Sequence, residues 1–268
     1  MATWSRWSRV LLAAGVLPLL LLLAGCGSSS DESASEDTAS ASTAVPDSVN
    51  VLTDAERQDG WQLLFDGQSL DGWRGFQRDS VPDGWTVENG AMHFTGKASS
   101  QDGTPPLTLI TDSTYADFEL RFEWKIEAEG NSGVMYRVSE QEDLPYETGP
   151  EYQVLDNSTL EDDDVIHASG SLYGLYAPSE DVTRPIGEYN DARIVVRGSH
   201  VEHWLNGTKL LEAEIGSDTW TKRVEGTKFA NWPNFAQMDE GYIALQDHGH
   251  PVWYRNVKIR PLSPDTDM

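Results

Sequence analysis

The chain has 268 residues, a formal net charge of −25 at pH 7 and a single cysteine. That charge repels nucleic acid and anionic bilayer surfaces. One cysteine allows neither an intrachain disulfide nor a cysteine zinc site. The acids are scattered along the chain, which reads as a solvated, salt-adapted surface rather than a cation-binding cleft.

Residues 1–25 read as a lipoprotein signal peptide. Arg6 and Arg9 give a positive start, Val10 to Leu23 is almost wholly apolar, and Leu23-Ala24-Gly25-Cys26 has the form of a lipobox. Cys26 is then the expected lipidation site, and the chain is anchored by lipid rather than spanning. Gly27 follows Cys26 with no Asp at that position, which by resemblance to bacterial lipoproteins points to the cell envelope, at the periplasmic or surface face of an outer membrane. Residues 26–50 form a flexible, acidic, Ser/Ala-rich linker with nothing aromatic to bury. The folded body is expected over 51–262, with a short C-terminal tail at 263–268.

The body opens with a short helix signal at 53–59, where Thr53 is an N-cap and Glu56 stands three residues on. Strands are expected at 61–65, at 85–88 and 91–94 about Asn89-Gly90, and at 107–111. The strongest signal is DFELRFEWKIE, 117–127. Phe118, Leu120, Phe122, Trp124 and Ile126 share one face and charged residues share the other, the period-2 pattern of a strand with one buried side. Further strands are expected at 133–139, 151–156, 170–176 and 190–198, in a hairpin about Asn206-Gly207, and at 242–247 and 252–260. Long connections at 140–150, 157–169 and 216–240 exceed ordinary hairpin loops, and loops of that length often shape a binding site. Many short strands with little helix give an all-β fold, a sandwich or jelly roll of two antiparallel sheets.

No phosphate loop, dinucleotide fingerprint, G-x-S-x-G or H-E-x-x-H is present. The chemistry has to come from polar groups on strands, read by parity. In EYQVLDN, Glu151 and Gln153 share a face that can look into a groove. In GNSGVMYRV, Asn131 and Arg137 share a parity, and Arg137 can pair with Glu151 across strands. His203 shares its face with Val201 and Leu205, a pattern that a packing histidine also gives. In YIALQDHGHPVWYRNVKI, Gln246 and His248 face away from the Ile243/Leu245 side, while Asp247, Gly249 and Pro251 read as turn residues. The acidic run 161–164 reads as a solvated loop, since adjacent acids lack the spacing of calcium ligands.

Several separated stretches resemble the bacterial family once named domain of unknown function 1080, now described as 3-keto-disaccharide hydrolases. They include GWQLLFDGQSLDGW (60–73), WTVENGAM (85–92), YADFELRFEWKIEAEGNSGVMYR (115–137), EYQVLDN (151–157), SLYGLYAP (171–178), RIVVRGSHVEHWLNGTKL (193–210) and GYIALQDHGHPVWYRNVKIR (241–260). The resemblance implies a concanavalin A-like jelly roll. It implies cleavage of the glycosidic bond of 3-keto-glycosides by removal of the C2 proton; no cofactor is expected, no metal ligand is singled out, and whether a metal assists is left open by the sequence. In that chemistry Glu151 and His248 are the candidates for proton transfer. Asn131, Arg137, Gln153, His203 and Gln246 are candidate substrate-binding groups, and Trp73, Trp85 or Tyr173 could stack a sugar face. The expected partners are an oxidised sugar and a membrane reached through the lipid, not nucleic acid. The rival class is a non-catalytic, lectin-like carbohydrate-binding lipoprotein, because jelly rolls serve both.

Overall fold

The structure is a computed structural model that describes residues 49–96, 106–161 and 164–263. The expected signal peptide, the linker up to residue 48 and the tail from 264 lie outside the described residues.

The body begins with helix α1 (Asp54–Gln58) and strand β1 (Gln62–Leu63). It continues through β2 (Trp73–Gly75), β3 (Trp85–Glu88), β4 (Ala91–Phe94), β5 (Leu109–Thr111), β6 (Phe118–Ile126), β7 (Asn131–Val138) and β8 (Glu151–Leu155). The second half holds β9 (Asn190–Arg197), β10 (His200–Leu205), β11 (Thr208–Glu214), helix α2 (Asp218–Glu225), β12 (Tyr242–Leu245) and β13 (Val252–Pro261). Among the described residues these strands form two antiparallel sheets. The larger runs β11-β10-β9-β6-β13-β4-β3, with β1 also paired to β13, and the smaller runs β2-β5-β12-β7-β8.

The alternation in β6 does what its pattern dictates. Phe118, Leu120, Phe122, Trp124 and Ile126 are all at most 2% exposed and face the smaller sheet. There they share one core with Val134 and Tyr136 of β7, Tyr152 and Val154 of β8, and Ile243 and Leu245 of β12. Each such side chain contributes roughly 1.5–3 kcal/mol by leaving water. Both Asn-Gly pairs have positive φ at both residues, as a type I′ hairpin requires. Thr53 and Glu56 form the expected capping box on α1.

Three elements differ from expectation, the first being strand β2 (Trp73–Gly75), which was not read from the sequence. Residues 170–176 are not a strand. Gly170 and Gly174 take positive φ, and the segment docks irregularly along β8 through Gly170 N to Gln153 O (2.9 Å), Gln153 N to Ser171 O (3.2 Å) and Tyr173 N to Glu151 O (3.0 Å). Helix α2 was not read from the sequence. Ser217 caps it by accepting from Trp220 N, and Trp220 anchors a second core with Leu172, Leu175, Leu211, Phe229 and Phe235.

The outer face of the smaller sheet is only partly covered. Phe76, Ile110, Met135, Val138 and Ala244 make a small third core there, with Tyr146 and Tyr242 against it. The rest of that face carries polar side chains.

Candidate functional site

A pocket of about 510 Å³ occupies the uncovered part of this outer face. Its floor is built from neighbouring strands: Asn131 from β7, Glu151 and Gln153 from β8, Thr108 just before β5, and Gln246 just after β12. The long connections raise its walls, with Leu144, Pro145 and Tyr146 on one side and Lys228 and Phe229 on another. Tyr173 and His248 complete the rim.

Register explains the convergence. Gly133 lies opposite Gln153 and Met135 opposite Glu151, so the outward residues of β7 and β8 alternate on one surface. Glu151 leans across β7 onto Gly133. A Cβ at position 133 would stand 1.9 Å from its Oε1 and 2.7 Å from its Cδ. The missing side chain is therefore the space that the carboxyl occupies. On β12, Gln246 N donates to Gly133 O (2.9 Å), and Ser132 Oγ donates to Gln246 O (2.7 Å), which clamps the next strand's end to the same spot.

Glu151 is 8% exposed, and burial pushes its carboxyl up to about 8, against the smaller opposing pull of the Lys228 ammonium. Lys228 is the only Lys or Arg lining this pocket among the described residues, and its Nζ sits 4.8 Å from the ring centre of Tyr173 and 5.9 Å from that of Tyr146. Burial and the nearby Glu151 and Asp164 also raise the Tyr173 phenol. Asp247 is buried as well. Its Oδ1 accepts from Thr108 Oγ1 (2.9 Å), which pins the 246–250 turn to β5, and burial raises its carboxyl. His248 is exposed on the rim, its ring stacked 6.3 Å from that of His250.

Six of the residues singled out from sequence meet in this pocket: Asn131, Glu151, Gln153, Tyr173, Gln246 and His248. Two do not. Arg137 does not pair with Glu151; its guanidinium donates to Ala116 O (3.2 Å) and approaches Asp117 Oδ1 (3.4 Å). The cause is a slip in β7. Arg137 takes φ 52°, and Val138 falls in the same outer core as Met135, so strict alternation fails between them. His203 is completely buried between the sheets. Its Nδ1 donates to Gly170 O (3.1 Å), leaving Nε2 to accept from the Tyr136 hydroxyl (3.2 Å), and burial lowers it to about 4, so it is a neutral packing residue. Trp73 and Trp85 are core residues too, their indoles donating to Leu64 O and Leu107 O. Sequence reading missed Thr108, Tyr146 and Lys228; it read Asp247 as a turn residue but not its Thr108 partner. The signal for Tyr146 and Lys228 was the length of the 140–150 and 216–240 connections.

For metals, the one grouping of three His or carboxylate ligands among the described residues is His200, Glu202 and Glu212, on β10 and β11 and outside the pocket. The Lys209 ammonium already pairs with Glu202 (3.4 Å) and Glu212 (2.5 Å). In the acidic run, Asp162 and Asp163 lie outside the described residues.

The raised Glu151 carboxyl has a consequence for stability. Below its ordinary value of 4.5 the group is protonated in folded and unfolded chains alike. From there to about 8 the unfolded chain releases the proton while the folded chain keeps it, so the group's contribution falls as pH rises and is lost above about 8. Glu151→Gln should therefore be more stable than the parent chain, by a margin that grows between pH 5 and pH 8. Urea unfolding at those two pH values checks this, and an equal margin at both would contradict it.

The sequence profile of the 3-keto-alpha-glucoside-1,2-lyase-like domain matches residues 60–260. A 3-keto-disaccharide hydrolase of Bacteroides thetaiotaomicron is 34% identical over 282 aligned positions, covering 94% of this chain and 96% of that protein. A crystal structure of a candidate glycosyl hydrolase from Parabacteroides distasonis superposes with a TM-score of 0.73 at 35% identity, covering 80% of this chain and 100% of that one. Another from the same organism gives a TM-score of 0.54 at 25% identity, covering 76% of this chain and 84% of that one. With its all-β jelly-roll sandwich and a match that spans most of its length, the chain belongs to the 3-keto-alpha-glucoside-1,2-lyase-like domain family.

Proposed function

We propose that this protein cleaves the glycosidic bond of 3-keto-glycosides, with Glu151 as the group that removes the C2 proton. The observation that carries the reading is the Glu151 carboxyl, buried on the pocket floor and raised to about 8. A base works best when its pKa lies near the working pH, and an ordinary surface carboxylate is too weak for a carbon acid. A ketone at C3 acidifies C2–H because the resulting anion is an enolate. As the C2–H bond breaks, its electron pair moves into the enolate and the proton goes to Glu151. The enolate then re-forms the ketone, the C1–O bond breaks, and the aglycone oxygen leaves and takes a proton. Water adding across the new C1–C2 double bond completes hydrolysis.

The other pocket groups fit the same scheme. Lys228 and the amides of Asn131 and Gln246 can stabilise charge on the C3 oxygen. Tyr173 and Tyr146 offer aromatic faces to a sugar. His248, exposed at the rim, passes a proton to the departing oxygen and on to solvent in this scheme. The name of the Bacteroides relative supports the substrate class. As a further proposal, Cys26 in the LAGC run carries a lipid that holds the domain at the cell envelope, for which fatty-acid labelling lost in Cys26→Ser is the test.

The assay is release of aglycone from a 3-keto-glucoside beside the matching unoxidised glucoside. We expect the keto substrate alone to be cleaved, and Glu151→Gln to lose at least about 100-fold in kcat/KM. Gly133→Ala, which removes no functional group, should lose a comparable factor, because the new Cβ evicts the carboxyl. Saturable binding of the keto sugar without release would overturn the proposal in favour of a carbohydrate-binding module.

A further inference from the structure

Gln153 is 2% exposed and lies between Glu151 and Asn131 on the pocket floor. Its Nε2 donates to Asn131 Oδ1 at 3.2 Å. Its Oε1 stands 3.1 Å from Glu151 Oε1 and 3.3 Å from Ser132 O. With the amide oxygen on that side, the 3.1 Å contact is a hydrogen bond only when Glu151 is protonated and its O–H donates to the Gln153 carbonyl, and Ser132 O is then left facing a second acceptor. Half a turn of the amide reverses the chain. Nε2 then donates to the Glu151 carboxylate and to Ser132 O, and Oε1 accepts from an Asn131 amide that has turned with it. The two arrangements are nearly isosteric, and each suits one ionisation state of Glu151.

We propose that Gln153 is a positioning residue whose amide turns with the proton on Glu151, and that Asn131 relays this turn to the substrate. With Glu151 ionised, Asn131 gives its Nδ2 to Gln153 and its Oδ1 to the pocket. Once Glu151 has taken a proton, Asn131 accepts from Gln153 and turns Nδ2 to the pocket. A hydrogen-bond donor thus reaches the substrate at the step at which an oxyanion forms on it. The Ser132 carbonyl favours the ionised arrangement, the form that removes the C2 proton, so in that form the donor is not presented before the proton moves. The other titratable groups that act on Glu151 are Lys228 from the loop after α2, Tyr173 from the segment along β8, and Tyr254 from β13. Asp247 and His248 share the pocket. None of these is an amide, which carries a donor and an acceptor at the two ends of one planar group.

The inference rests on Glu151 as the proton-transfer group, and a readout separate from turnover tests it. In the full chain, the side-chain amide signals of Gln153, followed by proton–nitrogen NMR, should titrate with the same midpoint as the Glu151 carboxyl carbon. They should become independent of pH in Glu151→Gln. Amide signals that stay fixed through the carboxyl titration, or that move equally in Glu151→Gln, overturn the proposal. Gln153→Met removes the donor at nearly constant volume and should raise the Glu151 midpoint by about one pH unit. On a 3-keto-glucoside, the acid limb of kcat/KM should rise by the same amount. An unmoved limb with a uniform loss of rate would overturn the relay. If the parent chain releases no aglycone while the amide still titrates with Glu151, the substrate reading fails and the amide contact stands.

Discussion

The polar pocket depends on one steric fact, the absence of a side chain at Gly133. A buried carboxyl needs a space of its own, and in a close-packed β-sheet that space normally belongs to a neighbouring Cβ. Here the neighbour has none, so Glu151 lies flat over β7 and is shielded from water. The cost of burying charge then falls on the ionised state, which is why the proton is held to about pH 8. That cost is a liability for stability and, on the proposed function, an asset for proton transfer.

The pocket also depends on incomplete coverage. A sandwich needs only one face of each sheet for its core. On the smaller sheet the second face is divided, with a small apolar cluster around Met135 and Ala244 at one end and the polar floor at the other. The 246–250 turn is fixed to that floor through Ser132, Gly133 and Thr108, so Gln246 and His248 sit on anchored backbone rather than on a free loop. The segment from 228 to 236 reaches the rim because Phe229 and Phe235 are tied into the second core with Trp220.

Much of the fold was legible because period-2 patterning is a local consequence of burial. The eleven-residue alternation about β6, the two Asn-Gly hairpins and the Thr53 cap could be read directly. The shared parity of Glu151 and Gln153 was legible for the same reason, and so was that of Gln246. Parity fails where the backbone leaves the regular pleat. Arg137 sits at a bulge with positive φ, and that single irregularity sends its side chain to Asp117 instead of the pocket. The parity of His203 was read correctly, but parity cannot say whether a face meets a ligand or another sheet. Lys228 and Tyr146 come from connections whose paths are set by tertiary packing, so length alone marked them. The 170–176 segment reads as a strand because it does bond along β8, yet two glycines at positive φ keep it irregular.

The central claim is that a buried carboxyl on this floor removes hydrogen from C2 before the glycosidic bond breaks. Turnover of a 3-keto-glucoside in heavy water measures it directly. The account predicts deuterium at C2 of the released sugar, introduced in step with cleavage and absent when Glu151→Gln replaces the parent chain. Cleavage that leaves the original hydrogen at C2 would contradict it.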